Sequence, residues 1–215
     1  MSLYVVFLGA PGSGKGTQAS RLAKTLKASK IATGELLRSE VEKGSEVGKQ
    51  AGAYLIRGEF VPDQILAELF RSVLTNRLME RGVVFDGYPR TLAQARDFSQ
   101  LVSQDQNKKQ RILYLDVPKG TILRRIVGRM TCPKCHIIYH DKFNPPATVG
   151  RCDVCGSVLV ARADDNEATL AKRVELFEEA IRPVLEFFGE QVIRIDGDRP
   201  PGLVFSQIMR ALEIK

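Results

Sequence analysis

Residues 3–17 read LYVVFL-GAPGSGKGT and decide the fold. The first six are apolar, rich in β-branched and aromatic side chains, and stop at Gly9, which is typical of a short buried strand. After the glycines, Ala19, Leu22, Ala23 and Leu26 recur at the spacing of one helix face. A strand, a glycine-rich loop and a helix in direct succession predict a phosphate-binding P-loop.

In such a loop, backbone N–H groups turn toward a phosphate and the helix N-terminus adds partial positive charge. Lys15 would reach the β- and γ-phosphates. Gly16 departs from the general pattern because it stands where Ser or Thr normally follows the Lys, with Thr17 one place later. A glycine-rich turn without a ligand is the alternative interpretation.

Short apolar runs like the first recur at 82–85, 111–117 and 192–195. Helix-like stretches lie between them, one opening at Pro62 and another carrying an apolar stripe from Leu170 to Phe188. Pro183 is expected to kink or break the second of these helices. Buried strands that alternate with amphipathic helices predict an α/β fold with a parallel sheet.

Two segments break this alternation. Residues 32–61 are mostly helical in pattern, with five glycines. Residues 129–162 contain all four cysteines and alternating apolar residues without a helical period, which predicts a small β-rich insertion.

Composition narrows the class of protein. The chain has 215 residues, 44% apolar and 27% charged, which excludes a disordered chain, a collagen and a disulfide-dense miniprotein. A net charge of +7 suits a nucleic acid, an anionic membrane or a polyphosphate. No apolar run approaches the ~18 residues of a membrane span, and the N-terminus lacks the features of a signal peptide. We therefore expect a cytoplasmic protein with reduced cysteines.

The cysteines form two C-x2-C knuckles, Cys132-Pro-Lys-Cys135 and Cys152-Asp-Val-Cys155, separated by 16 residues. This spacing is typical of a four-thiolate zinc site, which is closed and therefore structural. His136 and His140 are possible substitute ligands. Two disulfides, four unliganded thiols or another thiophilic metal are the alternatives.

One acid and several arginines are candidates for phosphate chemistry. Asp86 ends a predicted strand, where a carboxylate beside a P-loop can orient Mg²⁺-bound water; a cap or turn role is the alternative. Arginine donates two hydrogen bonds to two phosphate oxygens, although a single arginine is more often a surface residue. The arginines lie on both sides of the cysteines: Arg124, Arg125, Arg129, Arg162 and Arg173.

The P-loop together with ATGELLR (32–38), FDGYPRTLAQ (85–94) and RADD (162–165) resembles the adenylate kinase family. The two knuckles resemble the zinc-bearing lid of its bacterial long form, and the resemblance covers essentially the whole chain. It implies a P-loop kinase core (1–31, 62–127 and 166–215) with a central parallel sheet flanked by helices. It also implies a helical AMP-binding insertion (32–61) and a small β-rich zinc lid (128–165).

The implied reaction is reversible phosphoryl transfer from MgATP to AMP, giving two ADP. The resemblance assigns ATP to Gly12, Ser13, Gly14, Lys15, Gly16, Thr17, Arg125, Arg129, Ile138, Tyr139 and Arg199. It assigns AMP to Thr33, Arg38, Glu59, Phe60, Val61, Gly87, Tyr88, Pro89, Arg90, Gln94, Arg162 and Arg173. Transfer itself is assigned to Lys15, Asp86, Arg90, Arg129, Arg162 and Arg173, with Mg²⁺ bound alongside ATP and structural Zn²⁺ on the cysteines. Glu35 replaces the family's usual Asp, and Arg199 stands where the family often has Lys.

The resemblance also implies a cytoplasmic monomer whose partners are ATP, AMP and ADP, with neither nucleic acid nor membrane. A P-loop kinase for another nucleoside monophosphate is one rival, and a nucleic-acid-binding zinc-ribbon ATPase is another. Against the second, the basic residues are spread through predicted phosphate contacts instead of forming one stripe. A purely structural zinc protein would leave the P-loop unexplained.

Overall fold

The computed structural model describes residues 2–73, 82–103, 108–161 and 167–214. The elements in chain order are β1 (Ser2–Leu8), α1 (Lys15–Leu26), β2 (Ser29–Ala32), α2 (Thr33–Lys43), α3 (Glu46–Arg57), α4 (Asp63–Val73), β3 (Val83–Asp86), α5 (Leu92–Ser103), β4 (Lys108–Asp116), α6 (Lys119–Ile126), β5 (Arg129–Thr131), β6 (Ile138–His140), α7 (Glu167–Phe188), a 3₁₀ turn (Gly189–Gln191), β7 (Val192–Asp196) and α8 (Pro201–Ala211).

Five strands form a parallel sheet in the order β2-β3-β1-β4-β7, which confirms the predicted α/β fold. The central strand β1 is apolar from Leu3 to Leu8 because helices cover both faces of the sheet. Phe7 pairs with Asp86 on one side, and Leu8 pairs with Tyr114 on the other. The P-loop therefore leaves the sheet at its carboxyl edge, directly beside Asp86.

The core lies on both faces of this sheet. On one face, Val5 and Phe7 pack with Leu22 of α1 and Ile208 of α8. On the other, an aromatic cluster joins β1, β3, α5 and α7, with ring centroids 5.2–6.5 Å apart in edge-on contacts. Burial of these large side chains fixes β1 and β3, and hence the two loops that follow them.

The predicted break at Pro183 is wrong, because α7 continues through it from Glu167 to Phe188. A proline inside a helix removes one backbone hydrogen bond and costs about 3 kcal/mol. Ile181 and Val184 flank the proline and Phe188 ends the helix, and all three are buried. Each contributes roughly 1.5–3 kcal/mol of burial, so packing outweighs the lost hydrogen bond.

Strand β2 was not predicted from the sequence. Among the described residues it pairs only with β3, over Ser29–Ala32, and forms one edge of the sheet. Of its four residues only Ile31 and Ala32 are buried, which is too short a pattern to distinguish from a loop.

The two segments that break the α/β alternation have the predicted character. Residues 33–57 form α2 and α3, and a Cβ at Gly48 would lie 2.0 Å from the carbonyl oxygen of Glu40, so only glycine permits this helix contact. Residues 129–140 form the antiparallel pair β5-β6, and isolated bridges extend this β structure to Val160. The boundaries of the three implied units stay predictions. No helix in the described ranges is both long and apolar enough to cross a membrane.

Candidate active site

A cavity of about 650 Å³ opens at the carboxyl edge of the sheet. The P-loop, the α2–α3 segment, the cysteine-bearing insertion and α7 all border it. Most of the predicted nucleotide-binding residues line it together: Gly12, Ser13, Gly14, Lys15, Gly16, Thr17, Arg38, Glu59, Phe60, Val61, Asp86, Gly87, Pro89, Arg90, Arg125, Arg129, Ile138, Tyr139, Arg173 and Arg199.

The P-loop folds back on itself around one carbonyl. The oxygen of Ala10 accepts a hydrogen bond from Ser13 N at 3.0 Å and another from Lys15 Nζ at 2.8 Å. Gly12 and Gly14 have φ values of 83° and 94°, in a region that residues with a side chain rarely adopt. These glycines allow the tight turn that leads directly into α1.

Gly16 is explained by its surroundings. A Cβ at this position would lie 3.0 Å from Ile138 Cδ1 and 3.1 Å from Asp86 Oδ2. A Ser or Thr would therefore press against both the insertion and the carboxylate. Thr17 borders the same cavity and offers a hydroxyl one residue later.

Five of the cations that border the cavity lie close enough to influence one another: Lys15, Arg38, Arg90, Arg129 and Arg173. The carboxylate of Asp86 acts on two of them, Lys15 and Arg90. The Lys15 residue is partly open to the cavity, but protein surrounds its ammonium group, and this burial lowers its pKa to about 8, against the opposing effect of Asp86. Burial and the neighbouring arginines lower the pKa of Arg90 to about 10. Such a concentration of positive charge is costly unless an anion with several charges completes it.

The arginines are held in place by backbone carbonyls and an aromatic ring. Arg90 Nε donates to the carbonyl of Gly87 at 2.7 Å, and its guanidinium lies 5.8 Å from the centre of the Phe60 ring. Arg173 Nη2 donates to the carbonyl of Leu55 at 3.2 Å. These contacts set the direction of each guanidinium fork before any ligand arrives, which lowers the entropic cost of binding.

Comparison with known proteins agrees with this site. A family model described as adenylate kinase matches residues 7–193. The chain belongs to the adenylate kinase family. It is 37% identical to the adenylate kinase of Moorella thermoacetica over 212 residues, 98% of each chain. The adenylate kinase of Thermodesulfovibrio yellowstonii is 37% identical over 215 residues, 99% of this chain and 100% of the relative. That of Syntrophomonas wolfei is 36% identical over 213 residues, 98% and 99% of the two chains.

Three of the described residues that the family resemblance assigns to the nucleotides are not on the cavity wall. Thr33 is fully buried and donates from Oγ1 to the carbonyl of Gly87 at 3.2 Å. The Tyr88 ring packs on Phe70 with centroids 4.3 Å apart. Gln94 is 3% exposed and lies behind Arg90. Arg162 falls outside the described residues.

Three other residues that the resemblance assigns to ATP have side chains that are already in contact with other protein groups. Arg125 Nη1 donates to the carbonyl of Gly197 at 2.9 Å, which ties α6 to the turn after β7. Arg199 pairs with Asp196 at 2.8 Å. The Tyr139 ring is buried within the cysteine-bearing insertion, so contact with a nucleotide would come from its backbone.

The sequence analysis assigned no role to Asp63, and it did not identify the partner of Glu35, which borders the cavity. Asp63, the first residue of α4, accepts hydrogen bonds from Thr91 Oγ1 and Gln94 Nε2. The spacing Thr91-x-x-Gln94 is that of a capping box and could have flagged this corner. Glu35 pairs with Lys30 at 2.8 Å, so the longer acid has a partner of its own.

The four cysteine sulfurs lie within 4.8 Å of one another, and four of their pairs are 3.2–3.4 Å apart. A disulfide requires about 2.05 Å, whereas four thiolates around a zinc ion lie about 3.8 Å apart. The Tyr139 hydroxyl, 3.5 Å from Cys152 Sγ, lowers the pKa of that thiol to about 6, while contacts with Cys155 and Cys132 raise the pKa of Cys135. Thiolates this close favour a cation among them, so the donor set fits Zn²⁺.

The residues present also fit Mg²⁺. Asp86 ends β3, and its carboxylate faces the P-loop beside Gly16. A carboxylate, the Thr17 hydroxyl and phosphate oxygens are the hard oxygen ligands that Mg²⁺ prefers.

The low pKa of Lys15 predicts how ATP affinity depends on pH. In the free protein Lys15 loses its proton near pH 8, and bound phosphates favour the charged form. Binding above pH 8 therefore requires uptake of a proton, and we expect ATP affinity to fall about tenfold between pH 7 and pH 9. Titration calorimetry at several pH values measures this. Lys15→Arg keeps its charge over this range and should flatten the profile; a flat wild-type profile would show that the Lys15 pKa is not lowered.

Proposed function

We propose that this protein is an adenylate kinase that transfers the γ-phosphoryl group of MgATP to AMP, giving two ADP. The observation that supports this most strongly is the group of five neighbouring cations, Lys15, Arg38, Arg90, Arg129 and Arg173, in a cavity bordered by the P-loop, Asp86 and residues 58–61. Two phosphate groups that must approach each other require more positive charge than one P-loop supplies.

The chemistry needs no general base. The nucleophile is an oxygen of the AMP phosphate, which is already ionised. A bond forms between this oxygen and the γ-phosphorus, and the bond from the γ-phosphorus to the bridging oxygen breaks, so that ADP leaves. Asp86 and Thr17 would hold Mg²⁺ together with phosphate oxygens, and the ion would supply neutralisation of phosphate charge.

The cations act by stabilising the charge that spreads over the equatorial oxygens of the transferring group. Lys15 and the backbone N–H groups of the P-loop hold the β- and γ-phosphates, and Arg90, Arg129 and Arg173 surround the transferring phosphoryl. Arg162 joins them in this proposal on the family resemblance alone. Arg129 comes from the cysteine-bearing insertion, so closure of this lid delivers charge and excludes water together.

We assign ATP to the P-loop side of the cavity, where Pro201 and Val204 offer apolar surface, and AMP to the side of α2 and α3. The backbone of residues 59–61 and the guanidinium of Arg38 border the AMP side. Zn²⁺ on the four cysteines is structural. We also propose that the protein is a monomer and that it is cytoplasmic.

An acceptor panel tests this function. Purified protein is incubated with MgATP and each of AMP, CMP, UMP and GMP, and ADP formation is followed with a coupled assay. AMP should give turnover far above hydrolysis of ATP alone. A much better rate with CMP, UMP or GMP would overturn the AMP assignment, and binding of single- or double-stranded nucleic acid on filters would favour the rival class of function.

A further inference from the structure

One buried amide joins the helix after the P-loop to the turn between β7 and α8. Gln18 lies in α1, and its Nε2 donates to the carbonyl of Pro201, the first residue of α8, at 3.0 Å. Gln18 is 2% exposed, and both residues border the cavity. The amide therefore connects α1 to the wall of the cavity on which we place the base of ATP.

The other end of the same amide is unsatisfied. Gln18 Oε1 is buried and has no hydrogen-bond partner among the described residues. A carbonyl can only accept, so the amide must present its nitrogen to Pro201 and cannot rotate to relieve its oxygen. A buried acceptor without a partner costs at least as much free energy as a typical hydrogen bond contributes. Gln18 therefore adds little net stability, and a half-satisfied polar group in a core is typical of a functional position.

The carbonyl of Pro201 accepts a second hydrogen bond from its solvent side. Arg21 Nη1 donates to it at 3.1 Å, and the Arg21 guanidinium lies 4.4 Å from the centre of the Phe205 ring. Arg21 is exposed, so water can replace its hydrogen bond, whereas the bond from Gln18 is shielded from water. Without Gln18, only a donor that water can displace would hold this carbonyl.

Both ends of the donor site depend on α1. Lys15 and Thr17 border the cavity at the start of this helix, and Gln18 follows directly. ATP carries its triphosphate and its base at opposite ends, so its affinity depends on the distance between the two subsites. A distance that is fixed before binding lowers the entropic cost of holding both ends at once.

We propose that Gln18 is a positioning residue for the donor nucleotide: its amide holds the Pro201 carbonyl, so that the base wall, residues 197–201 and Val204, keeps a fixed distance from the P-loop. This inference rests on the proposed function, which places the base of ATP on this wall. Gln18 acts through Pro201 and takes no part in the transfer step.

The test replaces Gln18 with Met, which has a similar length and cannot donate. KM for ATP should rise about tenfold, the effect of one buried hydrogen bond, while kcat and KM for AMP stay within about twofold of the wild type. Inorganic tripolyphosphate has no base and needs only the P-loop, so its inhibition constant against ATP should not change. The unfolding temperature should not fall, because the substitution also removes the unsatisfied oxygen.

Arg21→Met is the matched control, since it removes the other donor to the same carbonyl. It should leave KM for ATP close to that of the wild type, because water replaces the lost hydrogen bond. KM does not depend on the concentration of active protein, so a partly unfolded Gln18→Met sample still gives it. Gln18→Leu provides a second variant.

The outcomes distinguish this inference from the proposed function. If the wild type transfers no phosphoryl group to AMP, the proposed function fails. If it does, but Gln18→Met leaves KM for ATP unchanged, raises both KM values alike or weakens tripolyphosphate as much as ATP, the function stands and the inference is overturned. An equal rise in KM for ATP in Arg21→Met would also overturn it, because the buried amide would then have no distinct role.

Discussion

Replacing Arg90 with Lys is expected to lower kcat by about 10²–10³, the cost of losing one transition-state contact of ~3–4 kcal/mol. Lys keeps the charge but loses the planar fork that donates to two oxygens. The Arg90 guanidinium donates to the Gly87 carbonyl and lies near the Phe60 ring. A lysine would lose the hydrogen bond from Nε and the contact of the planar group with the ring, and its ammonium group would no longer be oriented toward the phosphoryl group. Initial rates at saturating MgATP and AMP measure the effect. The same change at Arg162 should be comparably harmful, since the family resemblance gives it the same role.

Arg124→Lys is the matched control for this substitution. Arg124 does not border the described cavity, and its Nη2 donates to Thr121 Oγ1 at 2.8 Å within α6. We therefore expect kcat to stay close to that of the wild type. Equal losses at Arg90 and Arg124 would contradict the assignment of Arg90 to the transferring phosphoryl group.

Replacing Cys132 and Cys155 together with Ser is expected to remove bound metal and lower the unfolding temperature without removing the chemistry. The insertion that carries the cysteines is small, and its buried cluster consists of Cys132, Tyr139, Cys152 and Leu159. Apparent binding free energies of structural Zn²⁺ are on the order of 10 kcal/mol, so metal binding supplies much of the folding free energy of such a unit. Metal analysis and thermal unfolding measure the loss. Hydrogen exchange would show whether the insertion opens before the core.

Four thiolates fill a tetrahedral ion and leave no position for water or phosphate. At a temperature where the insertion stays folded, phosphoryl transfer should therefore survive largely intact. His136→Asn is the matched control: His136 is exposed with φ of 57°, which Asn tolerates, and the variant should retain its metal. A metal-free protein that stays folded by circular dichroism but loses nearly all turnover would contradict a purely structural role.

The sequence predicted the features that depend on local pattern and missed those that depend on distant packing. The P-loop and the two knuckles are short motifs whose chemistry follows from their spacing. The apolar runs of β1, β3, β4 and β7 are distinct because parallel strands are buried on both faces. Strand β2 has no such pattern, and helix α7 continues through Pro183 only because its neighbours are buried in a core that assembles from distant segments.

In the candidate site, too, local sequence motifs predicted which residues take part, whereas the orientation of their side chains depends on distant packing. The cavity collects most of the assigned residues because the fold brings the carboxyl ends of β1 and β3 together. Which side chains face the cavity depends on contacts that no motif contains. Gln94 is turned toward Asp63, thirty-one positions earlier in the chain, and Arg125 is committed to the carbonyl of Gly197.

Transfer of isotope from ATP to AMP tests the proposed reaction most directly. Protein is mixed with Mg²⁺, ATP labelled in its γ-phosphate and unlabelled AMP, and the products are separated at early times. The label should appear in ADP, with negligible inorganic phosphate, because the acceptor is AMP and the closed site excludes water. Label that accumulates as inorganic phosphate, at a rate that AMP does not alter, would contradict an adenylate kinase and identify the protein as an ATPase.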